Sequence, residues 1–226
     1  MSHAEVSVVV PCHNDARHIA AAITSVLTQT HAPSEVIVVD DGSTDESAAI
    51  IASFGPRVRL LSQANKGAAA ARNAGVRAAQ GALIAFLDGD DIWPENSLAA
   101  RLNVLTATGA DLVFGQVRQC RGDAGPQAPG LGPDLPGRLA GAMLIRRTVF
   151  DRVGPFDERL ATAETIDWVA RAADAGIKEA GCDALVLYRR IHGANLMMRN
   201  HDTNSNALAV LRAAVARRRA APEVTS

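Results

Sequence analysis

Three carboxylates stand within four residues in Phe86-Leu87-Asp88-Gly89-Asp90-Asp91, at the end of an apolar run. Carboxylates this close repel one another unless a cation joins them, so a hard divalent metal such as Mg²⁺ or Mn²⁺ is their natural partner. The segment is too short to enclose an ion, which leaves water and substrate phosphates to complete the coordination. An acidic turn at a strand end is the plainer alternative, because Asp is a common turn residue. The tie is broken by Asp40-Asp41-Gly42-Ser43-Thr44-Asp45, a second acidic loop after a second apolar run. Two neighbouring strand ends with acidic groups make a crevice, in which one acid accepts hydrogen bonds from a ribose or base and another holds the metal. A nucleoside diphosphate supplies every missing partner.

The elements that must position these groups alternate. Val6 to Val10 reads as a strand buried on both faces and ended by Pro11, followed by a helix over Ala16 to Thr28. Val36 to Val39 is a second strand, and Thr44 is placed to cap a helix running through Ile51. A strand at Val58 to Leu61, a helix over Gly67 to Ala79 and a strand at Leu83 to Leu87 follow. This spacing predicts an α/β fold with a mostly parallel central sheet flanked by helices. Beyond it, a helix at Leu98 to Ala107 and a strand at Leu112 to Phe114 precede a Gly- and Pro-rich loop from Arg121 to Gly137. Helices are expected at Thr148 to Arg152, Ala163 to Ala175 and Ser205 to Arg218, and a last strand at Ala184 to Tyr188.

The whole of 1–226 is expected to form one domain. About 1–118 would be a nucleotide-type half, about 139–200 a second half, and 201–226 a C-terminal helix and tail. An apolar fraction of 48% can fill such a core. A net charge of -1 gives no electrostatic reason to expect nucleic acid, and Arg217-Arg218-Arg219 reads as a solvated helix end. Cys12, Cys120 and Cys182 form no CxxC pair, so neither a disulfide framework nor a zinc site is indicated. Without a leader or a long apolar run, a cytoplasmic protein is expected, with peripheral contact to a membrane left open.

Four segments, Val8-Val9-Val10-Pro11-Cys12-His13-Asn14, Val38-Val39-Asp40-Asp41-Gly42-Ser43-Thr44-Asp45, Ala71-Arg72-Asn73-Ala74-Gly75 and the acidic cluster, in this order and spacing, resemble the family 2 glycosyltransferases of GT-A fold. The match runs from about Val6 to Trp93 and more weakly from Gly141 to Asn195. The resemblance implies metal-dependent, inverting transfer of a sugar from a nucleotide-sugar donor, first of all a UDP-sugar, to an acceptor. That acceptor could be a saccharide, a lipid, a small metabolite or a peptide. It further implies that Pro11 and His13 flank the nucleobase, that Asp41 binds its polar edge, and that Arg72 lines the donor pocket. Asp88 would contact ribose or sugar and Asp90 the metal, with Asp91 orienting Asp90 or joining the shell. His192 would add to the metal or diphosphate site and Arg190 to donor binding. The plainer readings are a loop residue for His13, a solvated helix residue for Arg72 and a basic loop for Arg189 to His192. Asn73 and Gly75 are expected to serve close helix packing.

The chain departs from the family at the base. Relatives carry a Glu-Asp pair on the helix after a Phe-Asp-Glu segment, the Asp acting as base. Here Phe156-Asp157-Glu158 is followed at that spacing by Glu164-Thr165, and Thr cannot serve at neutral pH. Glu164 and Asp167 lie three apart and would share a helix face, with Asp167 expected as base and Glu164 as its partner or substitute. Alternatively Glu164 is an acid of a first helical turn, and Asp167 pairs with Arg171. Trp93 and Trp168 are expected to pack rather than bind sugar. Two rival functions stay open, a sugar-phosphate nucleotidylyltransferase and a degenerate nucleotide-sugar-binding module.

Overall fold

The computed structural model describes residues 5–122, 126, 130–160 and 162–192. The first half alternates β1 (Val6–Cys12), α1 (Ile19–Leu27), β2 (Glu35–Asp41), α2 (Ser47–Ala52), β3 (Arg59–Gln63), α3 (Ala68–Ala78), β4 (Leu83–Phe86) and α4 (Ser97–Thr108). Then come β5 (Leu112–Arg121), β6 (Leu135–Pro136), β7 (Met143–Arg146), α5 (Thr148–Val153), α6 (Glu164–Asp174) and β8 (Glu179–Ile191).

All the described strands belong to one sheet of order β3-β2-β1-β4-β7-β5-β6, with β8 also paired to β5. The β3-β2-β1-β4 portion is parallel throughout, as the alternating pattern predicts. β7 then enters antiparallel between β4 and β5, so the second half is mixed. Successive side chains of a strand face opposite ways, and the core divides accordingly. Val6, Val8 and Val10 pack with Ile19, Ile23, Ile51, Leu98 and Leu102 of α1, α2 and α4 on one face. Val9, Ile37, Val39 and Phe86 pack with Ala69, Ala71, Phe156 and Trp168 on the other, under α3, α5 and α6. Gly75 makes the α3 contact possible, since a Cβ there would stand 2.2 Å from Val9 Cγ1. The expectation of close packing is met at this residue.

Several boundaries differ from the sequence pattern for physical reasons. Pro11 does not end β1 but pairs in register with Val39. Odd residues of β1 bond toward β4, as Val9 does through Leu87, and β4 ends at Phe86, so the missing N–H of Pro11 faces no partner strand. Thr44 does not cap α2, which starts at Ser47, because Asp45 turns the chain by accepting from the Ser47 N–H at 2.9 Å. β5 and β8 extend well past their apolar cores, pairing as far as Arg121 and Ile191. β7 is only four residues long and carries no pattern of its own. β6 and a bridge between Cys120 and Gly130 lie inside the expected Arg121–Gly137 loop. The predicted Ser205–Arg218 helix falls outside the described residues. Among those residues no helix is long and apolar enough to cross a membrane.

Candidate functional site

The parallel strands end on one side of the sheet and deliver the acidic groups there. Asp41, the last residue of β2, is 3% exposed. Its Oδ1 accepts from Gln63 Nε2 at 2.7 Å and from the Lys66 N–H at 2.9 Å, and its Oδ2 accepts from the Gly67 N–H at 2.7 Å. The carboxylate therefore shapes the β3–α3 connection. His13 stands exposed beside it. With Nδ1 donating to the Asp41 carbonyl at 2.9 Å, Nε2 accepts from the amides of Asn65 at 3.1 Å and Asn14 at 3.2 Å. Pro11 lies buried in the β1 ladder two residues before this ring.

The Asp88-Gly89-Asp90-Asp91 turn follows β4 and is pinned to β8. Asp91 is 4% exposed, and its Oδ1 accepts from the Arg190 N–H at 2.9 Å. Arg190 Nη1 donates to the Asp90 carbonyl at 2.7 Å, and His192 Nε2 lies 3.0 Å from Asp90 Oδ2. Burial pushes the carboxyl of Asp90 above its ordinary range, with the Asp88 charge adding to it and His192 opposing it. Burial, then Asp90 and Asp88, push Asp91 well above that range. Among the described residues no three Asp, Glu, His or Cys side chains form a ready metal cage. Asp90 and His192 stand close enough together to serve as two donors to a cation, were one bound there.

One further acid joins the turn without having been singled out in the sequence. Asp15 Oδ2 accepts from the His13 N–H at 3.1 Å and sits where a Cβ on Gly89 would come within 2.6 Å. Its carboxyl is pushed up to about 7 by burial first, and then by the nearby charges of Asp90 and Asp88. Its position just before α1 looks like an ordinary helix start, since its carbonyl does accept from the His18 and Ile19 N–H groups.

A second set of groups is organised by α3. Arg72 is 4% exposed; its Nη2 donates to Asp88 Oδ1 at 2.5 Å and its Nη1 to Glu164 Oε1 at 2.6 Å. Burial alone would lower the guanidinium's pKa, but Asp88 and Glu164 hold it above its ordinary value. Glu164 opens α6 after Ala163, a non-glycine residue at φ 69°. Such a left-handed conformation costs about 1–2 kcal/mol, so the surrounding packing must impose it. Asp167 Oδ2 lies 2.7 Å from Arg171 Nε. Asn73 does more than pack. Its amide donates to the Phe156 carbonyl at 3.0 Å and to Glu158 Oε1 at 2.9 Å, and its Oδ1 accepts from the Phe156 N–H at 2.9 Å. Trp93 and Trp168 are core residues, 2% and 0% exposed, with their indole N–H groups on the carbonyls of Gly141 and Gly154.

The chain is similar to known proteins. The family model described as "Glycosyl transferase family 2" matches residues 7–156. An uncharacterized glycosyltransferase of Nostoc sp. is 31% identical, over 90% of this chain and 68% of its own. Glycosyltransferase AglE of Haloferax volcanii is 31% identical over 76% of this chain and 62% of its own. The UDP-Glc:alpha-D-GlcNAc-diphosphoundecaprenol beta-1,3-glucosyltransferase WfgD of Escherichia coli is 39% identical over 49% of this chain and 44% of its own. The chain thus spans less than two thirds of the AglE and WfgD proteins. Residues 1–349 of S. aureus TarS, solved in complex with UDP-GlcNAc, superpose with a TM-score of 0.79 at 20% identity, covering 96% of this chain and 67% of that one. That likeness is one of fold, a mixed α/β sheet flanked by helices of the GT-A type. With the family model covering most of the chain from β1 to the segment before α6, the chain belongs to glycosyl transferase family 2.

Proposed function

We propose that this chain transfers a sugar from a nucleotide diphosphate to an acceptor hydroxyl by a single displacement, with Glu164 as the general base. The observation that carries the reading is the shared guanidinium of Arg72, which brings the donor-side Asp88 and the acceptor-side Glu164 to opposite arms of one side chain. Among the described residues both hydrogen bonds of Glu164 fall on Oε1, from Arg72 and, at 3.4 Å, from Thr165 Oγ1, so Oε2 is left for an acceptor O–H. As that oxygen bonds to the anomeric carbon, its proton passes to Glu164. The bond from that carbon to the diphosphate breaks, and the nucleoside diphosphate leaves with the electron pair. Attack opposite the leaving group inverts the anomeric centre.

A UDP-sugar is the first donor to test, since the structural neighbour TarS holds UDP-GlcNAc and the relative WfgD is named for UDP-Glc. The donor would lie between the His13–Asp41 end of the site and the acidic turn, with Pro11 beneath the base, and Arg190 backing the turn. Asp90 and His192, with Asp91 behind them, would hold a divalent cation, which when bound stabilises charge on the leaving diphosphate. The three cysteines are unpaired and buried, which supports a reducing compartment such as the cytoplasm.

The test is UDP release from UDP-glucose and UDP-GlcNAc, with saccharide and polyprenyl-phosphate acceptors, in Mn²⁺ and in EDTA. Metal-dependent release stimulated by an acceptor supports transfer. UDP binding without release under any condition would favour the non-catalytic module, which the Thr165 departure keeps in view. Pyrophosphate from a sugar-1-phosphate and a nucleoside triphosphate would instead indicate nucleotidyl transfer.

A further inference from the structure

His18 has no part in the reading above, yet its ring lies against that of His192, with centroids 5.0 Å apart and planes inclined by 31°. Its backbone is fixed at the start of α1, where its N–H donates to the Asp15 carbonyl and its own carbonyl accepts from Ala22. The residue is 7% exposed. His192 stands one residue beyond Ile191, the last residue of β8 in register with β5, and the Ile191 carbonyl accepts from the Gly122 N–H at 3.0 Å. A second ring packed on the face of a histidine restricts its turning about the Cβ–Cγ bond. The three groups form a series from the α1 start to the acidic turn: His18 on the His192 ring, and His192 Nε2 3.0 Å from Asp90 Oδ2.

We propose that His18 is a positioning residue, acting through His192 to keep its Nε2 directed at Asp90 and at a divalent cation held there. The inference rests on the reading of Asp90 and His192 as cation donors. Groups that orient a metal ligand change affinity by about 10–100-fold when removed, without touching the ion themselves. The role asks for a flat ring at position 18 rather than for imidazole nitrogen.

The test is Mn²⁺ affinity in the presence of saturating UDP, read from the free-ion electron paramagnetic resonance signal. It compares wild type, His18→Phe, His18→Leu, His18→Ala, His192→Ala and the His18→Ala/His192→Ala double variant. Phe keeps the ring face, and Leu keeps much of the volume without it, so the comparison survives should the Ala variant fail to fold. The expected result is affinity within about threefold of wild type for Phe and a loss of about tenfold for Leu and Ala. The double variant should bind no more weakly than His192→Ala alone. Equal losses for Phe and Ala would make the imidazole itself a ligand and overturn the positioning role, as would wild-type affinity in His18→Leu or additive losses in the double variant. Absence of Mn²⁺ binding by wild type would overturn the cation reading and this inference together, a result distinct from any in which wild type binds and the His18 variants do not differ.

Discussion

Asp167 Oδ2 lies 2.7 Å from Arg171 Nε one turn further along α6, and Arg171 places its other two nitrogens on the carbonyls of Val153 and Pro155. The pair ties α6 to the end of α5. Glu164, three residues earlier on the same helix, reaches instead across to Arg72. Helical spacing brings Glu164 and Asp167 near each other, but the cation available to each decides where its carboxylate points. Of the two acids, Glu164 is the one that shares the Arg72 guanidinium with Asp88.

Asp167→Asn should therefore act on stability and leave chemistry nearly intact. The substitution keeps the shape and removes the charge opposite a partly buried guanidinium, a loss of about 1–3 kcal/mol. A lower thermal midpoint, with UDP release per folded molecule within about threefold of wild type, is the expected outcome. A hundredfold loss of turnover at an unchanged midpoint would return Asp167 to the role of base.

Glu164→Gln should cost chemistry as well as stability, because it too removes a charge opposite a buried guanidinium, that of Arg72. Loss of a general base costs about 10²–10⁴-fold in rate. Acceptor-stimulated UDP release should fall into that range while calorimetric UDP affinity stays within about threefold, because the base touches the acceptor and not the nucleotide. A matching fall in affinity would mean that Glu164 serves the donor.

The sequence reading succeeded where a single element carries its own signal. The β-branched runs of β1 and β2 are apolar on both faces because helices cover both, and the acidic residues at the ends of β2 and β4 fall where parallel strands deliver them. It was weaker where the determinant lies elsewhere in the chain. Pro11 continues β1 because β4 ends before reaching it. β5 and β8 run on through polar residues because each pairs with the other. The Arg72–Glu164 pair joins residues 92 apart, and no local pattern announces it. Asp15 reads locally as a residue before a helix; only the fold sets it against Gly89.

Asn73→Ala should loosen the segment leading into α6. The side chain is 2% exposed and satisfies both the N–H and the carbonyl of Phe156. Truncation orphans two buried backbone groups, for about 2–6 kcal/mol of lost stability at about 1–3 per group before relaxation. Chemical denaturation should show a lower midpoint. Hydrogen exchange should rise first at 156–158, and protection unchanged there would contradict the clamp.

Asp15 gives the pH prediction its sign. An unfolded Asp titrates at about 3.9, whereas in the fold this one is pushed up to about 7 by burial and by Asp90 and Asp88. Between those values the folded chain holds a proton that the unfolded chain has released. Folding stability from this group is thus fully present below about pH 4 and is lost as pH rises toward about 7. Asp90 and Asp91 are shifted in the same direction, so the wild-type curve alone does not isolate Asp15. Asp15→Asn does, since it can still accept from His13 and carries no charge. In EDTA, its urea midpoint relative to wild type should climb between pH 5 and pH 8, leaving the variant the more stable protein at pH 8. A constant or falling difference would show that the Asp15 carboxylate is not strained by its acidic neighbours. Adding Mn²⁺ with UDP at pH 8 should shrink the variant's advantage, because a cation at the turn favours the ionised acid that wild type alone possesses.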